Sequence, residues 1–140
     1  MTAVLFFLLP AGGDGDIVYI LNNGRINLKK DIRIVSVAPS VTEILYEIGL
    51  GENIVGVTRY DDVPEDVRNK EVVGGYLDID VEKILRIKPD VVMCEPNSGI
   101  RDSVDILSRN GIPVIVVDIR SVMNILDAVE RIGELLDRKM

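Results

Sequence analysis

Tyr60, in "TRYDD", and Tyr76, in "GGYLD", stand in polar or glycine-rich stretches instead of apolar runs, and they are two of only four tyrosines in the chain. A ring in such a loop offers a flat apolar face with one polar handle, suited either to a ligand wall or to packing the loop onto its own domain. Arg59, beside Tyr60, can meet an acidic ligand group or pair with Asp61, Asp62 or Glu65 on the surface. Ser40 and Glu43 have the S-x-x-E spacing of a helix capping box, which accounts for both without any ligand. Covalent chemistry has little to start from. The single cysteine, Cys94, closes an apolar run as a small buried filler would, and the chain has no histidine to activate it. Without histidine the usual zinc, copper and haem-iron ligand sets are also missing, so no resident metal or cofactor is expected, and a bound metal would arrive already chelated. Carboxylates are abundant, but none stands out as one of a paired acid and base, so an enzyme is not the expectation.

The charge balance narrows the partners. With 16 basic against 23 acidic residues and a net charge of -7, a nucleic-acid backbone or an anionic lipid surface would be repelled. The chain has neither glutamine nor tryptophan but much Ile, Val, Glu, Lys and Arg, a bias that leans towards a heat-adapted source.

These residues need elements to hold them. The 140 residues, 47% hydrophobic, fit one domain with one core. From Asp31 on, short apolar runs ("RIVSVA", "NIVGV", "DVVMC", "PVIVVD") alternate with amphipathic segments ("SVTEILYEIGL", "DVEKILRI", "RDSVDILSRN"). That alternation implies βαβ units and a parallel sheet with helices on its faces. Gly49 and Gly51 should stop the first helix, Asp80 should cap the second and Pro89 end it, and Asn110-Gly111 should close the third. In the second, Val81, Ile84, Leu85 and Lys88 share one side, which leaves Glu82 in water. Upstream, "VYILNNGRINL" reads as two extended runs joined by a hairpin turn at Asn22-Asn23-Gly24. In a parallel sheet ligands gather at the carboxyl edge, so the candidate site is made by the loops Ala38–Ser40, Thr58–Asp61, Glu95–Gly99 and Asp118–Ser121, flanked by Gly74–Tyr76.

The start, "MTAVLFFLLPAGGDGD", has an apolar run from Ala3 to Leu9 followed by small residues. Two alternatives fit it: the core of a secretory signal, or an ordinary buried first strand. The run is far too short to span a bilayer, which takes about 20 apolar residues. Residues 1–15 are therefore set apart as a possible signal remnant or flexible start, and 16–140 as the domain. "AGGDGD" lacks the Gly-Lys-Ser/Thr ending of a phosphate loop.

"RIVSVAPSVTEILYEIGLG", "DVEKILRIKPDVV" and "LSRNGIPVIVVD", from about Arg33 to about Leu136, resemble the amino-terminal lobe of periplasmic binding proteins of the cobalamin and iron-siderophore class, the substrate-binding subunits of ABC importers. The resemblance implies an α/β fold: a single parallel-sheet lobe of the chelatase-like or TroA-like type, with helices on both faces and a ligand held between two such lobes. It implies an extracytoplasmic protein without a catalytic step, whose partners are a chelated-metal small molecule (cobalamin, haem or a ferric siderophore) and an ABC permease. Tyr60 matches the aromatic that cobalamin-binding members place against the corrin, and Tyr76 matches a second one. Ser40, Arg59, Asn97 and Arg120 would assist, and Glu82 matches the acidic knob that pairs with permease arginines. The chain stops where relatives begin the long helix leading to their second lobe. Half a cleft clamps a ligand poorly, so the other wall would come from elsewhere, a second copy in a homodimer being one source. The alternative function is a stand-alone lobe with a protein-interaction or assembly role and no transport. A small α/β enzyme of chelatase-like architecture is the third.

Overall fold

The structure is a computed structural model that describes residues 31–62, 64–75, 77–95 and 100–117 with their side chains, and 5–9 and 18–22 as backbone. The elements run β1 (Leu5–Leu9), β2 (Val18–Asn22), β3 (Ile34–Ser36), α1 (Pro39–Glu47), β4 (Ile54–Val57), β5 (Glu71–Val72), α2 (Val81–Ile87), β6 (Val91–Cys94), α3 (Arg101–Arg109) and β7 (Val114–Val117). They build one sheet in the order β1-β2-β7-β6-β3-β4-β5. Its β3 to β7 part is parallel throughout, and β2 and β1 extend it antiparallel beyond β7.

Both faces of the parallel part are buried, which is why its strands read as near-continuous runs of Val and Ile. Successive side chains still point to opposite faces, and two cores result. Ile34, Ile54, Val91, Met93, Ile115 and Val117 face one side with Val41, Ile44, Leu45 and Ile48 of α1. Val35, Val92, Cys94 and Val114 face the other with Ile84 of α2 and Val104 and Leu107 of α3. The helices thus cover both faces, as the alternating pattern implies. The β4–β5 connection carries only a 3₁₀ turn, Glu65–Asn69, from which Val67 plugs the α1-side core.

The helix signals hold in part. Asp80 caps α2, accepting from the Lys83 N–H at 3.0 Å. Gly49 and Gly111 stop α1 and α3 with φ of 86° and 81°. Lys88, ahead of Pro89, takes the left-handed conformation at φ 56°, because the proline ring bars it from continuing the helix. On α2, Ile84 is fully buried and Val81 and Leu85 half-buried, but Lys88 turns out to solvent.

Other expectations need correction. Ser40 and Glu43 do not form a capping box. The cap position is Ala38, with no side-chain cap bond, because Pro39 occupies the first turn, where its fixed φ and missing N–H suit a helix start. That puts Ser40 inside the helix. Gly51 is not left-handed; it begins a 3₁₀ turn against the Tyr46 ring, where a Cβ would collide with the aromatic carbons. β2 includes "VYILN" as read and pairs antiparallel with β1 and β7. Residues 23–30 lie outside the described residues. The apolar run at the start, Leu5–Leu9, is extended and pairs as the outermost strand.

Candidate functional site

The strand order sets β6, β3, β4 and β5 side by side, so the segments leaving their carboxyl ends lie along one edge. The first leads from β3 into α1. Here Thr42 Oγ1 lies 2.8 Å from Ser36 Oγ and 3.2 Å from the Ala38 carbonyl, and both hydroxyls are buried. The Val37 N–H donates to the Met93 carbonyl at 2.9 Å. Held from two sides, the turn places Ser40 at the edge, where its hydroxyl donates to Glu95 Oε1 at the end of β6.

The loop after β4 is braced by Asp61. Its buried carboxylate accepts with Oδ2 from the Thr58 N–H at 2.9 Å and from the Thr58 hydroxyl at 2.6 Å, while the Tyr60 N–H donates to the same hydroxyl at 3.2 Å. The brace turns Tyr60 outward, 59% exposed, with the Arg59 guanidinium carbon 5.8 Å from its ring centroid. Asp61 Oδ1 and the Tyr46 hydroxyl are buried without a hydrogen-bond partner among the described residues. Burial, then the nearby Asp66 charge, pushes the Tyr46 phenol up to about 12, although no hydrogen bond closes between the two side chains.

The segment after β5 is tied to that loop. The Arg59 N–H donates to the Gly74 carbonyl at 2.9 Å, and the guanidinium makes a two-pronged pair with Asp78 at 3.1 and 2.9 Å. The hydrogen bonds of this pair hold the Asp78 carboxyl below the usual carboxylate range and raise Arg59 further. Gly74 adopts φ 125° and bridges to Ile79, so the chain folds back at 75–78 before Asp80 starts α2. Leu77, 64% exposed, stands on that fold.

The structure therefore brings Ser40, Arg59 and Tyr60 to one edge, with Glu82 exposed in the first turn of α2 at the end of the same loop. Arg59 pairs with Asp78 and not with Asp61, Asp62 or Glu65; Asp61 is occupied by Thr58. Tyr76, Asn97 and Arg120 lie outside the described residues. Cys94 is buried, and burial first, Glu95 second, pushes its thiol up to about 12, in keeping with a filler. Sequence reasoning missed Asp78 and the Asp61 brace, and placed Glu95 in a candidate loop without its bond to Ser40. Asp61 had a signal, a threonine three residues earlier, the spacing at which an acid reaches back to the threonine N–H; Glu95, which directly follows an apolar strand, had a positional one. Two surface hollows, about 450 Å³ beside Glu65, Asp66, Arg68 and Asn69 and about 290 Å³ beside Arg33, Glu71, Lys83, Arg86 and Ile87, are lined by other residues. No group of three or more His, Cys, Asp or Glu suited to a metal ion occurs among the described residues.

A parallel α/β layer thus presents an exposed ring, an exposed leucine and a charged pair at the carboxyl ends of its strands. Residues 34–140 match the family described as periplasmic binding protein, and the chain belongs to that family. It is similar to an uncharacterized ABC transporter substrate-binding lipoprotein, YvrC, of Bacillus subtilis (strain 168), 38% identical over 117 residues that make up 81% of this chain and 37% of that protein. The periplasmic vitamin B12 binding protein BtuF of Vibrio cholerae has the same fold with a TM-score of 0.69 at 32% identity, over 74% of this chain and 40% of that one. A possible iron-binding periplasmic solute-binding protein from Staphylococcus epidermidis gives 0.68 at 36% identity, over 76% and 42%. The chain spans about two-fifths of the length of the curated relatives it matches.

Proposed function

We propose that this chain serves an ABC importer as the substrate-binding component, or as one lobe of it, and takes a chelated-metal small molecule: cobalamin, haem or a ferric siderophore. The observation that carries the reading is Tyr60, an exposed ring on a braced loop at the carboxyl edge of a parallel sheet. Such a ring suits a large flat ligand, and the absence of histidine disfavours capture of a bare transition metal. Relatives named for vitamin B12 and for iron support the ligand class. The mechanism is capture and delivery without catalysis, in an extracytoplasmic setting that the family and the lipoprotein relative support. Ser40, Arg59, Tyr60, Tyr76, Asn97 and Arg120 are the proposed ligand-side residues.

Glu82 is the proposed permease contact. An acid in the first turn of a helix also interacts favourably with the helix dipole, by about 0.3–1 kcal/mol, so exposure alone does not set it apart. What favours docking is its place just after the β5–α2 segment, which Arg59 and Asp78 tie to the loop of Tyr60. Glu82→Arg, assayed with the cognate permease, should lower transport while leaving ligand affinity unchanged; unchanged transport ends the docking role. The second wall is proposed to come from another lobe or from a second copy of this chain. Titration with cyanocobalamin, hemin and a ferric siderophore tests the whole reading: micromolar or tighter binding of one supports it. No binding by any of them, together with a stable dimer, favours an assembly role.

A further inference from the structure

Resting on that reading of the edge, we infer that Arg59 and Asp78 form a clamp that fixes the spacing of two apolar ligand contacts, Tyr60 and Leu77. Arg59 is then a positioning residue, and Leu77 a specificity-determining contact that the pattern of aromatics does not reveal.

The geometry is that of a joint between two loops. The backbone of Arg59 already reaches Gly74 at 2.9 Å, which sets the height of the β4 loop against the segment leaving β5. The guanidinium then crosses the fold at 75–78 and takes both oxygens of Asp78, which is next in sequence to Leu77. A planar fork on a carboxylate constrains orientation as well as distance, which a lysine in the same place does not do. The same guanidinium lies 5.8 Å from the Tyr60 ring centroid, so one side chain meets Tyr60 directly and reaches Leu77 through its neighbour Asp78. Gly75 gives the fork its room: a Cβ there would fall on Arg59 Nη1 and Asp78 Oδ1. Below the fork, the Gly75 N–H reaches the Asp78 carbonyl at 3.4 Å and the Asp80 N–H reaches the Val73 carbonyl at 2.8 Å, so the fold is anchored at its base and held across its top by the clamp.

An exposed ion pair ordinarily adds little to global stability, and this one has side-chain exposures of 47% and 67%. The clamp is therefore assigned a local role, and its test separates local from global effects. Two single variants remove one partner each, Arg59→Ala and Asp78→Ala, and Gly75→Ala displaces the fork while keeping both charges. In residue-resolved amide hydrogen exchange of the full chain, each should speed exchange at the Arg59 and Gly75 amides by about two- to fivefold, with the β3 and β6 amides unchanged. The double variant Arg59→Ala, Asp78→Ala should be no faster than either single one, and Arg59→Lys should fall between wild type and Arg59→Ala. Additive effects, or no change at these two amides, overturn the clamp. In parallel, cyanocobalamin and hemin are titrated into wild type, the clamp variants and Leu77→Ser. Loss of about threefold or more in affinity for whichever probe binds supports the ligand-contact role of Leu77. An unchanged affinity in Leu77→Ser overturns that role. If wild type binds neither probe, the ligand role of Leu77 falls together with the functional reading, while the exchange data still decide the clamp.

Discussion

At the scale of single residues, Asp61 and Tyr60 have separable jobs. Asp61 is buried and serves both the N–H and the hydroxyl of Thr58, so Asp61→Ala strands a buried backbone donor and should lower stability by about 1–3 kcal/mol in a denaturant titration. Tyr60→Ala, exposed, should leave the denaturation midpoint almost unchanged and instead weaken binding of the preferred ligand, by roughly three- to tenfold for the loss of one aromatic contact. Equal midpoints for Asp61→Ala and wild type would contradict the brace. Two acids contribute to the alkaline limit. Tyr46 is raised from 10.0 to about 12 and Cys94 from 9.0 to about 12, burial being the largest cause for both. The folded chain keeps these protons after the unfolded chain has lost them, so the unfolded state binds fewer protons across this window and stability falls with rising pH. The contribution is complete below the ordinary value of each group and is lost on the way to pH 12. Urea midpoints followed from neutral into alkaline solution should therefore drop, and Tyr46→Phe combined with Cys94→Ala should flatten the drop.

At the scale of elements, α2 is short and depends on its cap. Asp80→Ala should cost about 1 kcal/mol and fray the turn that carries Glu82, a loss visible as faster amide exchange at Lys83. On the other side of the sheet, Leu45 is fully buried in the α1 core, and Leu45→Ala should cost about 2–5 kcal/mol. The parallel strands and the helix stops were legible in the sequence because each is a local signal: short near-continuous runs of β-branched residues, Asp80 ahead of a helix, and glycine just past one. The start of α1 was not, because Pro39 and Ser40 both signal a helix beginning; Pro39 takes the first turn, and Ser40, inside the helix, bonds to Glu95, 55 residues away. The pairing of β2 with β7 escaped for a related reason: β7 lies far along the chain, so no local signal names it.

At the scale of the molecule, the candidate site was legible as a place before it was legible as a set of contacts. The carboxyl edge of a parallel sheet follows from topology alone, and Ser40, Arg59 and Tyr60 all reach it. The clamp between Arg59 and Asp78 did not follow, since it joins loops from two different strands across 19 residues. Tyr60 and Leu77 are both exposed, so under the proposed reading affinity depends on what covers them. If a second copy does so, light scattering at high micromolar concentration should report a dimer that Tyr60→Asp and Leu77→Asp both weaken; a monomer would leave the facing wall to another lobe. This edge is proposed to hold a flat, already chelated metal ligand. The direct measurement is isothermal titration of wild type and Tyr60→Ala with cyanocobalamin, hemin and a ferric siderophore. Micromolar or tighter binding of one of them by wild type, weakened in Tyr60→Ala at unchanged stability, is the expected result, and equal affinities in the two proteins, or no binding of any of the three, would contradict it.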